Sequence, residues 1–151
     1  MNVVVLAAGK GKRMHSSLPK VLQALAGRPL LDHVLDATAD LADHPRVVVI
    51  GHAAGIVRKH YEGRTDIVFA LQQEQLGTGH ALMQALAAIN PEDPMTLVCL
   101  GDVPLLSPKT LMTMAEAGAD GSLVLLTVEL SDPTGYGRIP VSYTHLTLPT
   151  N

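Results

Sequence analysis

Met1-Asn2-Val3-Val4-Val5-Leu6-Ala7-Ala8-Gly9-Lys10-Gly11-Lys12-Arg13-Met14, followed by Leu18-Pro19-Lys20, decides how the rest of the chain is read. An apolar, β-branched run enters a small, glycine-rich loop that carries Arg13 and, a few residues on, Lys20. A buried strand that ends this way can surround a triphosphate with backbone N–H groups and two positive side chains. Two other nucleotide loops are excluded by spacing. A Walker A loop requires G-x-x-x-x-G-K-[ST], and Gly9-Lys10-Gly11-Lys12-Arg13 has neither the second glycine nor the Lys-Ser/Thr pair. A dinucleotide fingerprint requires glycine where Met14 stands, so close helix packing beneath a pyrophosphate is not encoded. An ordinary βα turn is the competing reading. The basic pair and the small Ala7-Ala8 before the glycine tip it toward nucleotide binding.

Composition narrows the class. The 151 residues suffice for one domain with its own core. Apolar residues make up 47% and charged residues 17%, which excludes a disordered chain. A net charge of −3, with no basic stretch beyond the first twenty residues, excludes general nucleic-acid binding. The lone Cys99 permits no intramolecular disulfide and points to a reducing compartment. Its apolar surroundings in sequence predict a buried core thiol rather than a nucleophile. The N-terminus opens on a strand pattern without the cationic region or cleavage site of a secretory signal. No apolar run approaches transmembrane length. A cytoplasmic protein without membrane contact is the expectation.

Short apolar runs alternate with helical patterns. Strands are predicted over Asn2–Ala8, Arg46–Ile50, Asp66–Leu71, Met95–Leu100 and Ser122–Glu129, as near-continuous apolar runs covered on both faces. Pro29 opens a helical stripe of Leu30, Leu31, Val34, Leu35 and Leu41. Further helices are predicted over Ala54–Tyr61, Thr78–Ile89 and Pro108–Ala117, the last with Ser107 as N-cap. This alternation predicts an α/β fold: a Rossmann-like, mostly parallel sheet with helices on both faces and right-handed crossovers. Ligands of such sheets bind beyond the strand carboxyl ends, where the strand order switches.

Three further segments could carry chemistry. In Cys99-Leu100-Gly101-Asp102-Val103-Pro104-Leu105 an apolar strand ends in a single carboxylate. If that strand lies beside the first, Asp102 faces the glycine loop and could hold Mg²⁺ against phosphates. A turn-capping aspartate is the plainer alternative. In Leu71-Gln72-Gln73-Glu74-Gln75-Leu76-Gly77-Thr78-Gly79-His80-Ala81, glutamine amides and a threonine hydroxyl could read the edge of a base, since an amide both donates and accepts. The alternative is a helix start capped by Thr78. Asp132-Pro133-Thr134-Gly135-Tyr136-Gly137-Arg138-Ile139 could present backbone amides to a ligand, or be an ordinary turn. The seven histidines show no metal-ligand spacing.

Taken together, these segments resemble the sugar-phosphate nucleotidyltransferases. Gln75-Leu76-Gly77-Thr78-Gly79-His80-Ala81, Gly101-Asp102-Val103-Pro104-Leu105 and Asp132–Ile139 narrow the resemblance. It is to the N-terminal uridylyltransferase domain of the bacterial GlmU family, bifunctional UDP-N-acetylglucosamine pyrophosphorylases and glucosamine-1-phosphate N-acetyltransferases. The likeness runs from Asn2 to about Ile139. It implies the nucleotide-diphospho-sugar transferase type of fold, and a reaction that joins UTP and N-acetylglucosamine 1-phosphate, releasing pyrophosphate and UDP-N-acetylglucosamine, a precursor of peptidoglycan and lipopolysaccharide. It further implies that Leu6, Ala7, Ala8 and Gly9 contact the nucleotide, that Arg13 and Lys20 bind phosphates in catalysis, and that Gln72, Gln75, Gly77 and Thr78 hold the uracil. Asp102 is then a ligand of the cofactor Mg²⁺, and Gly137 touches the acetamido sugar.

The resemblance stops after Ile139. The family continues with a polar hairpin, the rest of this domain with further sugar and Mg²⁺ ligands, and a left-handed β-helix acetyltransferase domain that trimerises. Pro140–Asn151, rich in Thr and Pro, matches none of this. Residues 1–139 are therefore expected to form the N-terminal part of a nucleotidyltransferase domain, and 140–151 a non-native tail. Low or absent turnover is expected of such a chain. Two other classes fit the same residues: a related cytidylyl- or guanylyltransferase, and a non-catalytic nucleotide-binding fragment.

Overall fold

The computed structural model describes residues 1–11, 14, 16, 18–137 and 139. The chain runs through β1 (Asn2–Leu6), a small antiparallel hairpin of β2 (Ala24–Leu25) and β3 (Arg28–Pro29), α1 (Leu30–Ala37), β4 (Arg46–Ile50), α2 (Ala54–His60), β5 (Ile67–Leu71), α3 (Thr78–Ala85), β6 (Thr96–Leu100) and α4 (Pro108–Ala117). Four strands form a parallel sheet in the order β5-β4-β1-β6. Among the described residues no helix is long and apolar enough to cross a membrane.

The period-two geometry of a strand sends successive side chains to opposite faces. Val3, Val5 and Ala7 join Val48 and Ile50 on one face, packed against Leu31, Val34 and Leu35 of α1, Val57 of α2 and Leu111 of α4. Val4, Leu6 and Ala8 join Val47 and Val49 on the other, packed against Ala81 and Ala85 of α3. Both faces of β1 and β4 are thus covered, which is why these strands read as unbroken apolar runs. At β6 the expectation of two covered faces fails. The packing of α3 is on β1, β4 and β5, and Val98 and Leu100 are 39% and 46% exposed.

Three element bounds differ from expectation by one residue, at Ile67, Thr96 and His60, and four differ by more. The first strand ends at Leu6, although Ala7 N still donates to Val49 O at 2.8 Å. The helix opened by Pro29 ends at Ala37, because the buried Thr38 hydroxyl turns back onto Val34 O and Leu35 O, at 2.9 and 3.1 Å. Such side-chain competition for backbone acceptors bends helices, and a separate 3-10 turn carries Ala39–Leu41. The third helix ends at Ala85 rather than Ile89, since the next apolar residue of its stripe, Leu86, is 57% exposed and gains little by continuing. The strand expected over Ser122–Glu129 does not form. A strand exists through its ladder, and among the described residues nothing pairs with this segment, so Leu123, Leu125, Leu126 and Val128 lie exposed. Pro108–Ala117 is helical as expected, with Ser107 Oγ accepting from Thr110 N at 3.1 Å.

One buried charge ties α1 to the sheet. Arg46 is 5% exposed, and its Nη1 donates to Leu35 O at 2.7 Å while Nη2 meets the Asp66 carboxylate. Arg64 Nε donates to the other oxygen of Asp66 at 2.8 Å. Arg64, and Arg46 behind it, hold the Asp66 carboxyl down at about 2 against the opposing effect of desolvation. A folded pKa below the unfolded one gives stability that is complete above the ordinary carboxylate value of about 4 and is lost as pH falls toward about 2. Asp66→Asn is expected to cost about 2 kcal/mol at pH 7, between the values for exposed pairs and for stranded buried charges. The intermediate figure reflects a side chain 44% exposed at Asp66 and 6% exposed at Arg46. Denaturant titrations should show the two proteins converging below pH 3; a gap that is constant with pH would contradict this account.

Candidate active site

The chain leaves β1 to build β4 and β5 on one side, then returns to place β6 on the other. The order therefore reverses between β1 and β6, where a parallel sheet leaves a crevice at its carboxyl ends. A cleft of about 540 Å³ lies there. Leu6, Ala7, Ala8, Gly9, Lys20, Gln72, Gln75, Gly77, Thr78 and Asp102 line it together. Each of these is a residue that the sequence nominated. Arg13 lies outside the described residues. Gly137 is exposed and stands apart from the cleft, in a segment where Asp132 Oδ1 accepts from Thr134 N and Pro133 O accepts from Tyr136 N.

Two close approaches build the charged end. Gly11 has φ +57°, and a Cβ there would come within 2.9 Å of Lys20 Cβ, so glycine lets the loop lie against Lys20. Lys20 is held by the buried Val21 and Leu22 that follow it in a 3-10 turn. Across the cleft, Gly101 N donates to Leu6 O at 2.9 Å, extending the β1–β6 ladder by one residue. A Cβ on Gly101 would stand 3.2 Å from Leu6 O and 3.3 Å from Ala7 Cβ. That tight passage delivers Asp102 to the mouth of the β1 loop, where its carboxylate accepts a hydrogen bond from Lys20 Nζ. The two side chains are 36% and 30% exposed, so both remain open to a ligand.

The amide-rich end follows β5. Gln72 N donates to Ile50 O at 2.8 Å, and the Gln72 side chain, 3% exposed, donates through Nε2 to Gly77 O at 3.1 Å. Gln75 Nε2 donates to Gln72 O and to Gln73 O, both at 3.3 Å. Gly77, not Thr78, occupies the N-cap of α3, with φ +107°; Thr78 begins the helix and its hydroxyl makes no cap bond. Cys99 lies 3% exposed in β6 beneath the site, and burial pushes its thiol up to about 11, which keeps it protonated and inert.

Gly51 was missed by the sequence reading. A Cβ there would meet Gln75 Nε2 at 2.9 Å, Ala8 Cβ at 3.0 Å and Gln72 O at 3.0 Å. The available signal was a pattern: Ile50-Gly51 and Leu100-Gly101 both place glycine directly after a strand that points at the cleft. Gly51→Ala should displace the Gln75 amide and weaken the binding of any ligand that amide touches by about tenfold, the size of one lost hydrogen bond. Isothermal titration of the variant checks this, and unchanged affinity would remove Gln75 from the site.

Residues 3–138 match the MobA-like NTP transferase domain family. The bifunctional protein GlmU of Burkholderia mallei (strain SAVP1) is 57% identical over 139 residues, 92% of this chain and 30% of the relative. The chain thus spans about a third of the length of that relative. Among solved structures, Rv0371c of Mycobacterium tuberculosis, in complex with manganese, superposes with a TM-score of 0.65 at 26% identity, over 79% of this chain and 59% of that one. A nucleotidyl transferase of Methanothermobacter thermautotroptrophicus gives 0.66 at 27% identity, over 76% and 56%. With residues 3–138 matched and a nucleotidyltransferase fold in place, the chain belongs to the MobA-like NTP transferase domain family, and within it its sequence is GlmU-like.

Proposed function

We propose that the cleft binds UTP and transfers its uridylyl group to N-acetylglucosamine 1-phosphate, giving UDP-N-acetylglucosamine and pyrophosphate. The observation that carries this reading is the pairing of Lys20 with Asp102 at one end of a cleft whose other end is lined by Gln72, Gln75 and Thr78. A fixed cation and a carboxylate suit a triphosphate with a metal, and amides suit a base. The likeness to GlmU supports the choice of uridine and of the hexosamine phosphate.

In this reading the acceptor's phosphate oxygen attacks the α-phosphorus of UTP. The new P–O bond forms as the bond to the β-phosphate breaks, and pyrophosphate leaves. The attacking phosphate monoester is largely dianionic at pH 7, its second pKa being about 6, so no general base is needed. Positioning and charge neutralisation are what the transfer requires. Lys20 exchanges the Asp102 carboxylate for phosphate oxygens, Arg13 adds a second cation, and Leu6–Gly9 pack against the nucleotide. Asp102 fits a hard divalent cation. It is an accessible oxygen donor, and since among the described residues no group of three or more His, Cys, Asp or Glu stands together, the phosphates would supply ligands beside it. Asp102 would hold Mg²⁺ there, neutralising the triphosphate. Gly137 reaches the sugar only if its segment folds over the cleft. Residues 1–139 form this part of the nucleotidyltransferase domain, 140–151 take no part in it, and the setting is the cytoplasm, where nucleotide sugars for the cell envelope are made.

A second reading, nucleotide binding without turnover, is favoured by the exposed position of Gly137. A pyrophosphate-release assay with Mg²⁺ separates the two. Slow release that requires both UTP and N-acetylglucosamine 1-phosphate is the expected result. Binding of UTP with no release supports the second reading, and release with CTP or GTP in place of UTP would move the chain to a different nucleotidyltransferase.

A further inference from the structure

Lys20 and Asp102 reach the cleft from segments 82 residues apart, Lys20 at the start of a 3-10 turn and Asp102 just beyond β6, and they are paired with each other. Each suits a different ligand. An ammonium suits phosphate oxygens, and a carboxylate suits a hard cation. Asp102 is the one acidic side chain among the described residues that line the cleft, while Lys10 lines it as a second cation beside Lys20.

Either ligand arriving alone therefore meets the wrong charge. A metal-free triphosphate drawn to Lys20 stands beside the Asp102 carboxylate. A divalent cation on the free oxygen of Asp102 stands beside the Lys20 ammonium. One such repulsion between unit charges about 4 Å apart changes an affinity by about fivefold even at the dielectric of water. When metal and triphosphate arrive as one complex, the pair is exchanged for two matched contacts and no like charges are left facing each other. We propose, building on the nucleotide reading above, that the Lys20–Asp102 pair makes the cleft selective for the metal–nucleotide complex over either component: each residue excludes the other's ligand until both are present. By linkage the effect is reciprocal, so it is visible from the side of the metal as well as from that of the nucleotide.

The test measures three affinities in the wild-type chain, Asp102→Asn and Lys20→Met. UTP in EDTA and Mg²⁺-UTP are followed by isothermal titration, and Mn²⁺ alone by water-proton relaxation. Both side chains are partly exposed, and a thermal melt confirms that the variants fold. Asp102→Asn should bind metal-free UTP about fivefold more tightly than wild type while binding Mg²⁺-UTP more weakly. Lys20→Met should bind Mn²⁺ alone about fivefold more tightly. A carboxylate that merely positions Lys20 predicts the opposite sign for the first variant. Metal-free UTP bound no more tightly by Asp102→Asn, or Mn²⁺ bound no more tightly by Lys20→Met, overturns the proposal and leaves the nucleotide site standing. Wild-type protein that binds UTP in neither form overturns the nucleotide site and the proposal with it. The same gains with CTP, at affinities equal to those for UTP, would overturn the choice of uridine and support the selection of the complex.

Discussion

Lys20→Ala should lower kcat/KM for pyrophosphate formation by about 150-fold, or about 3 kcal/mol, the size associated with one preorganised donor to developing charge. The argument is positional. Lys20 stands directly before Val21 and Leu22, which are 4% and 5% exposed and hold its backbone at the cleft. Gly11 lies against its side chain, and Asp102 holds the ammonium in place before any ligand arrives. A cation positioned in this way needs little reorganisation when charge shifts onto the leaving pyrophosphate. Loss of the pair should scarcely affect folding, because both side chains are partly exposed and such pairs contribute at most about 1 kcal/mol. Steady-state kinetics together with a thermal melt check both halves of this expectation. Near-normal turnover would remove Lys20 from the chemistry, and a collapsed melt would make its role structural.

Leu31→Ala should destabilise the chain by about 3 kcal/mol, the usual cost of a cavity left by a buried leucine. Leu31 is fully buried in the first turn of α1, in the core that joins α1, α2 and α4 to β1, β4 and β6. Its Cδ1 lies 3.4 Å from where a Cβ on Gly101 would stand, so it also supports the passage that delivers Asp102. The variant should therefore bind nucleotide more weakly even under conditions where it remains folded. Urea denaturation measures the first effect and titration of the folded variant the second. A loss below about 1 kcal/mol would mean that the site collapses around the smaller side chain.

The parallel sheet was legible because β1 and β4 are covered on both faces and contain little besides valine, isoleucine and leucine. The cleft was legible because its nominated residues, Lys20 apart, cluster in three short segments at the ends of strands: Leu6–Gly9, Gln72–Thr78 and Gly101-Asp102. Leu123, Leu125, Leu126 and Val128 show the limit of such reading. Composition there favours a strand, yet a strand needs a neighbour, and local sequence does not say whether one is present. Thr38 shows a second limit. A single hydroxyl, returning to Val34 and Leu35, ended a helix whose apolar stripe continued to Leu41. Gly51 acts through contacts made by folding, with Gln75, Ala8 and Gln72, and its place directly after a strand is the one sign of it along the chain.

The most direct measurement is a titration of the ¹⁵N-labelled chain with Mg²⁺-UTP, followed by amide shifts, with Mg²⁺-CTP as control. The account predicts saturable changes at Gly9, Gly11, Gly77, Thr78 and Asp102, with little change along 122–129, and a weaker response to CTP. Saturable changes elsewhere on the surface, or none at these five residues, would contradict the claim that this cleft is a uridine nucleotide site.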